Sequence, residues 1–205
     1  MYKKVHRYLT TMTPERTPIL QEMERYAKKH HFPIIGPLVG RMLFQMASAI
    51  KAKRVLELGS GYGYSALWFA MAIGPKGEIV LTDGDKENKV RALDYIERSG
   101  LKTSFDFRVG DALKISQKLR GPYDIILNDI DKQDYPRTID LAATRLRKGG
   151  LFITDNLIWS GRVADQKQDK TTKRIVEFTE LLYQDKRFFT TVLPIRDGVG
   201  IALRI

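Results

Sequence analysis

The chain has 205 residues, with 35 Lys or Arg against 24 Asp or Glu and a formal net charge of +11. That length fits one domain with a sizeable core, and a hydrophobic share of 43% argues against disorder. The absence of cysteine excludes disulfides, thiol catalysis and thiolate zinc sites together, and no apolar run approaches the ~18 residues of a membrane span.

The N-terminus, MYKKVHRYLTTMTPER, is basic but lacks the continuous apolar stretch of a signal peptide, so a cytoplasmic location is expected. Residues 1–54 hold eleven Lys or Arg, among them Lys28, Lys29 and Arg41, against Glu15, Glu22 and Glu24, a balance of +8. Such a concentration either attracts a polyanion such as RNA or forms a solvated helical face. In TPERTPILQEMERYAKKHHFP, the residues Ile19, Leu20, Met23, Tyr26 and Ala27 share one helical stripe. Pro14 is expected in that helix's first turn and Pro33 beyond its end. A second helix is expected over about 37–50.

From residue 53 onward short apolar runs alternate with longer amphipathic ones. RVLELG, EIVLTD, SFDFRV, YDIILND and GLFITDN read as strands. SALWFAMAI, KENKVRALDYIERSG and stretches near 111–119 and 134–147 read as helices, with Gly100 closing the second. This alternation predicts a doubly wound, mostly parallel α/β sheet. After a loop near 157–169 comes the helix KTTKRIVEFTELLYQ. FFTTVLPI and GVGIALRI then have no room for a crossover helix between them, which predicts an antiparallel edge hairpin. No repeat or linker divides the chain. Residues 1–205 are expected to form one domain, a basic helical segment over 1–52 and an α/β core over 53–205.

Ligands of such sheets bind beyond the carboxyl ends of the strands. The first strand ends in Glu57-Leu58-Gly59-Ser60-Gly61-Tyr62-Gly63, where glycines allow a tight turn and close approach to a ligand. The second ends at Asp83, suited to accept from both hydroxyls of a ribose. A dinucleotide site usually carries G-x-G-x-x-G. Here the spacing is G-x-G-x-G, and Glu57 would repel a pyrophosphate yet orient an ammonium group. S-adenosylmethionine has such an amine and no phosphate. After the third strand, Asp111 and Ala112 could meet an adenine. The fourth ends in Asn128-Asp129-Ile130-Asp131-Lys132 and the fifth in Asp155-Asn156. Asp129, Asp155 and Asn156 offer three oxygen ligands at adjacent strand ends, a set that suits Mg²⁺. Each acid taken singly could instead cap a helix.

ELGSGYGYSA, LTDGDKEN, GDAL, YDIILNDIDKQDY, GGLFITDNLIWSG and IRDGVGIAL together resemble the cation-dependent O-methyltransferases, the family of catechol and caffeoyl-CoA O-methyltransferases and their bacterial relatives. The resemblance runs from about residue 13 to the C-terminus. It implies a Rossmann-like class I methyltransferase with a seven-stranded sheet, and S-adenosylmethionine as methyl donor. By the same resemblance, Glu57, Gly59, Ser65 and the backbone near Ile35 hold the donor's methionine end, Asp83 its ribose, and Asp111 with Ala112 its adenine. Asp131 lies beside the donor. Asp129, Asp155 and Asn156 match the metal ligands, Lys132 the catalytic lysine, and Ser160 and Asp197 face the substrate. Gly61 is an extra glycine in the turn, and Ser160 stands where plant members have Asn, which weighs against a caffeoyl-CoA substrate. Members of the family are often homodimers.

Methyl transfer from a sulfonium is an in-line displacement that needs an oxyanion close to the methyl. Lys132 is expected to accept the substrate proton; alternatively it is an exposed lysine paired with Asp131 or Asp134. A metal with open positions favours two neighbouring oxygens, as in a catechol or 5-hydroxyuridine. PERTPILQEMERYAKKHHFPII is similar to the bacterial branch that methylates 5-hydroxyuridine at the tRNA wobble position. With the +8 balance of this region, that favours tRNA over a small catechol, with Lys28, Lys29 and Arg41 as RNA contacts. A non-catalytic RNA-binding or dimerisation module on the same fold is the alternative of another class.

Overall fold

The computed structural model describes residues 2–205. Three helices lead the chain: α1 (Tyr2–Met12), α2 (Pro18–His30) and α3 (Gly36–Ala49). Next come β1 (Arg54–Leu58), α4 (Tyr64–Ile73), β2 (Glu78–Asp83), α5 (Lys86–Ser99), β3 (Ser104–Val109), α6 (Ala112–Lys118) and β4 (Tyr123–Asn128). The remainder is α7 (Thr138–Arg145), β5 (Leu146–Thr154), α8 (Lys170–Gln184), β6 (Phe188–Leu193) and β7 (Val199–Arg204). Turns of 3-10 helix occupy Lys132–Arg137 and Trp159–Ala164.

Among the described residues, seven strands form one sheet in the order β3-β2-β1-β4-β5-β7-β6. The five strands β1–β5 pair in parallel, while β7 runs antiparallel to both β5 and β6. The mostly parallel sheet and its C-terminal hairpin are as the sequence predicts. Strand order reverses between β1 and β4, so the crevice opens above the ends of these two strands, the usual place for a ligand in this class of sheet.

Alternation along the strands sends side chains into two apolar layers. Val55, Ile79, Leu81, Ile125 and Ile153 pack with α2–α5 through residues such as Leu20, Leu43, Phe69 and Ala92. Leu56, Leu58, Val80, Ile126 and Phe152 pack on the other face with Ile139, Ala142, Ile175 and Phe178 of α7 and α8. Glu57 alternates with Leu56 and Leu58, so it shares the face of Val55. A carboxylate on an apolar face is costly unless something pairs with it.

The N-terminal region departs from expectation in two respects. α1 forms inside the helical segment expected over 1–52 but ahead of the two helices placed there; Val5, Tyr8, Leu9 and Met12 recur at helical spacing, and all four remain exposed. The second helix starts at Pro18, behind Thr17, and not near Pro14. Arg16 lies outside the helix and pairs with Glu24 at 2.7 Å, which ties the preceding segment alongside α2. Glu24 also accepts from the Tyr64 hydroxyl at 2.7 Å, and Glu22 pairs with Arg98. The two acids of α2 are therefore spent on internal partners, while Lys28 and Lys29 stay exposed in its last turn, favourably placed against the helix dipole.

Candidate active site

The turn after β1 is stitched to its neighbours by backbone bonds. The amides of Gly59 and Ser60 both donate to the Thr82 carbonyl, at 3.1 and 2.9 Å, and the Asp129 amide donates to the Leu58 carbonyl at 2.8 Å. Gly59 has φ +81, and a Cβ there would lie 2.3 Å from the Asp129 carbonyl oxygen. Only glycine lets the ends of β1 and β4 approach this closely.

Two adjoining cavities open over these strand ends, sharing Gly59, Asp83 and Asp129 as walls. The first, about 430 Å³, is also lined by Asp111, Ala112 and Asp131. The second, about 470 Å³, is lined by Lys132, Asp155, Asn156 and Asp197, with Phe32 and Ile34 from the segment after α2. Much of the expected site is thus gathered along one continuous trough.

Several of its acids also hold backbone. Asp83 accepts from the Gly61 amide at 3.0 Å through one oxygen and from the Asp85 amide and Asn88 side chain through the other. Asp111 caps α6 by accepting from the Lys114 amide at 3.0 Å, and Asp131 accepts from the Gln133 amide at 2.9 Å. Such bonds fix the carboxylates at the cavity wall while an anionic oxygen keeps capacity for further donors.

Glu57, Ser65 and Ile35 are buried beneath the trough and do not line it. Glu57 is fully buried, and neither of its oxygens makes a well-formed hydrogen bond, the Ser60 and Ser65 side chains lying nearby. Burial pushes its pKa up to about 8; Ser65 and Ser60 pull it down and the charge of Asp129 adds to the rise.

Asp129, Asp155 and Asn156 meet on the wall of the second cavity. Asn156 adopts φ +65, a conformation Asn tolerates, and its amide donates to Asp197 at 3.4 Å. Burial holds the Asp155 carboxyl above the usual carboxylate range, the nearby Asp129 charge adds to this, and Arg196 opposes it. Asp129 is raised by burial and opposed by Lys132. Asp155 Oδ1 is buried without a partner. Among the described residues no cluster of three or more His, Cys, Asp or Glu gathers as a metal site, so the candidate set is two carboxylates and an amide. An orphaned carboxylate oxygen between hard oxygen donors fits a divalent cation.

Lys132 pairs with neither Asp131 nor Asp134. Its Nζ donates to Asp129 Oδ1 at 2.8 Å and to the Ile130 carbonyl at 3.2 Å, lies 5.0 Å from the Tyr135 ring centre, and its side chain is 13% exposed. The arrangement is that of a held ammonium at the cavity wall and not of a free surface lysine.

Asp197 braces the loop after β5. Its carboxylate accepts from the Ser160 amide and its carbonyl from the Ile158 amide at 2.8 Å. Ser160 and Asp197 face a third, outer cleft of about 650 Å³ with His6 and Arg7 of α1. Arg41 lies apart, lining an apolar cavity with Phe44 and Trp68. Phe32, Ile34, Trp159 and Arg196 are trough residues that sequence pattern did not single out. Of these only Arg196 had a usable signal, its position beside Asp197.

Among solved structures, an O-methyltransferase from Bacillus cereus in complex with SAH matches at TM-score 0.88 and 26% identity, covering 100% of both chains. A methyltransferase from Geobacter sulfurreducens matches at TM-score 0.83 and 27% identity, covering 99% of this chain and 98% of its own. The caffeoyl-CoA O-methyltransferase of Medicago sativa is 31% identical over 215 residues, covering 96% of this chain and 85% of its own. A family model described as O-methyltransferase matches residues 10–205. With that match over most of its length, and with the trough at the reversal point of its sheet, the chain belongs to the O-methyltransferase family.

Proposed function

We propose that this enzyme methylates a hydroxyl of a substrate bearing a second oxygen next to it, using S-adenosylmethionine as donor and a divalent cation, Mg²⁺ by its ligand set. The observation that carries the reading is a pair of buried carboxylates with unmet hydrogen-bonding capacity, Glu57 under one part of the trough and Asp155, whose Oδ1 has no partner while Arg196 holds Oδ2, in another. An ammonium suits the first and a hard cation the second. SAH in the Bacillus cereus relative supports the donor.

In this reading Glu57, Gly59, Ser65 and the backbone near Ile35 receive the methionine end, Asp83 the ribose, and Asp111, Ala112 and Asp131 the adenosine side. Asp129, Asp155 and Asn156 hold the cation. The donor supplies an electrophilic methyl and the cation lowers the pKa of a substrate hydroxyl. Lys132, beside Asp129, would receive the hydroxyl proton as the free amine, having first given its own proton to solvent, and Phe32 and Ile34 wall the same cavity with apolar surface that limits water.

The substrate we favour is 5-hydroxyuridine in tRNA, supported by exposed Lys28 and Lys29 at the end of α2, next to the Phe32–Ile34 wall. A small catechol-type molecule is the second reading, supported by the caffeoyl-CoA O-methyltransferase relatives. A homodimer would cover the exposed apolar stripe of α1. Incubating the protein with labelled S-adenosylmethionine, Mg²⁺ and either hydroxyuridine-bearing tRNA or a catechol separates the two. Label on the tRNA nucleoside is the expected result, label on the catechol alone the second reading, and label on neither rejects both.

A further inference from the structure

Arg196 borders both the 470 Å³ trough and the 650 Å³ outer cleft. Its Nη1 donates to Asp155 Oδ2 at 3.0 Å, and this partner is 2% exposed. The residue sits in the turn between β6 and β7 with φ +53, a left-handed conformation that a branched or long side chain rarely adopts without a reason in its surroundings. The turn is closed by the Gly198 amide donating to the Ile195 carbonyl at 2.9 Å. The ion pair with Asp155 holds the guanidinium at the cavity wall.

Each of the two candidate carboxylate ligands then has a resident cation before any metal ion arrives, although Asp83 and Asp197 also line this cavity. Asp129 is matched by Lys132 and Asp155 by Arg196. A dication at Asp155 meets the repulsion of the guanidinium unless that resident cation gives way. Arg cannot do so by losing its proton, because guanidinium stays charged in proteins. It can leave only by rotating, and the outer cleft it already borders offers the room.

We propose that Arg196 is a resident counter-cation that competes with the divalent cation for Asp155 and weakens its binding. The free Oδ1 can meet a cation while the guanidinium holds Oδ2, and coordination through both oxygens displaces the guanidinium toward the outer cleft. The inference rests on the reading of Asp129, Asp155 and Asn156 as cation ligands.

Mn²⁺ binding to the whole protein, followed by electron paramagnetic resonance of the free ion without substrate or donor, tests this. Arg196→Gln removes the charge and keeps much of the side chain, and Arg196→Gly also suits the backbone. Arg196→Lys retains a charge. The expected result is at least about tenfold tighter Mn²⁺ binding in the Gln and Gly variants and a smaller gain in the Lys variant. Asp155→Asn serves as the control for the underlying reading. If Asp155→Asn weakens Mn²⁺ binding while both neutral Arg196 variants bind no tighter than the parent, the competition is overturned and the ligand set stands. If Asp155→Asn leaves Mn²⁺ binding unchanged, the ligand assignment falls, and the competition with it.

Discussion

Lys132 Nζ and Asp129 Oδ1 lie 2.8 Å apart, three residues removed in sequence, at the end of β4 where the two cavities of the trough adjoin. One carboxylate therefore serves as partner of the ammonium and as wall to both cavities. Replacing Lys132 by Met is expected to lower kcat by roughly 10²–10⁴-fold, the usual worth of a positioned proton acceptor, with little change in donor affinity. Lys132→Arg should not restore the rate, since guanidinium stays protonated and has no basic nitrogen free to accept a proton. Steady-state kinetics beside calorimetric titration with S-adenosylmethionine check this; loss of donor binding in proportion to rate would assign Lys132 a structural task.

Glu57 gives a pH signature. Its ordinary value is 4.5 and burial lifts it to about 8 in the folded chain. Between these values the native state keeps a proton that the unfolded chain releases, so this group's contribution makes stability fall as pH rises across that window, by ~1.4 kcal/mol per unit. Glu57→Gln should flatten the urea-unfolding stability of the donor-free protein between about pH 5 and about pH 8. Parallel profiles for the two proteins would mean that the carboxyl titrates alike in both states.

Gly59→Ala meets two obstacles, φ +81 and an approach of 2.3 Å to the Asp129 carbonyl. Gly100 also has positive φ, +69, but nothing stands within 4 Å of its absent Cβ. Gly100→Ala is expected to cost ~1 kcal/mol and Gly59→Ala ~3 kcal/mol or more, with donor affinity lost only in the latter. Chemical denaturation and titration with S-adenosylmethionine provide both readings. Equal costs would show that the β1 and β4 turns tolerate separation.

The RNA reading predicts salt dependence. Affinity for tRNA should fall steeply with salt, and neutralising Lys28 and Lys29 should reduce the log–log slope by about one for each phosphate that no longer meets a cation. Arg41 lines a separate cavity, so Arg41→Gln is expected to change the slope less. Filter binding at several salt concentrations measures this. A flat salt profile for the parent protein would count against RNA as substrate.

The sheet and the strand-end acids were legible because they depend on local pattern. Short apolar runs marked β1 to β5, and several ended in the residue that now walls the trough, as at Asp83, Asp129 and Asp155. What escaped depends on tertiary closure. Phe32 and Ile34 reach the trough because α2 ends at a left-handed His31 and the chain turns back over β1. Trp159 and Arg196 arrive from loops that Asp197 and the Leu157–Gly198 backbone bond bring together. The charge balance was equally opaque: Arg16 is consumed by Glu24, whereas Lys28 and Lys29 remain outside.

The most direct test is methyl transfer from labelled S-adenosylmethionine to a substrate with two neighbouring oxygens, before and after exhaustive EDTA treatment. The account predicts that chelation abolishes turnover, that Mg²⁺ restores it, and that Asp155→Asn resists restoration. Full turnover after EDTA would contradict the cation's part in the reaction.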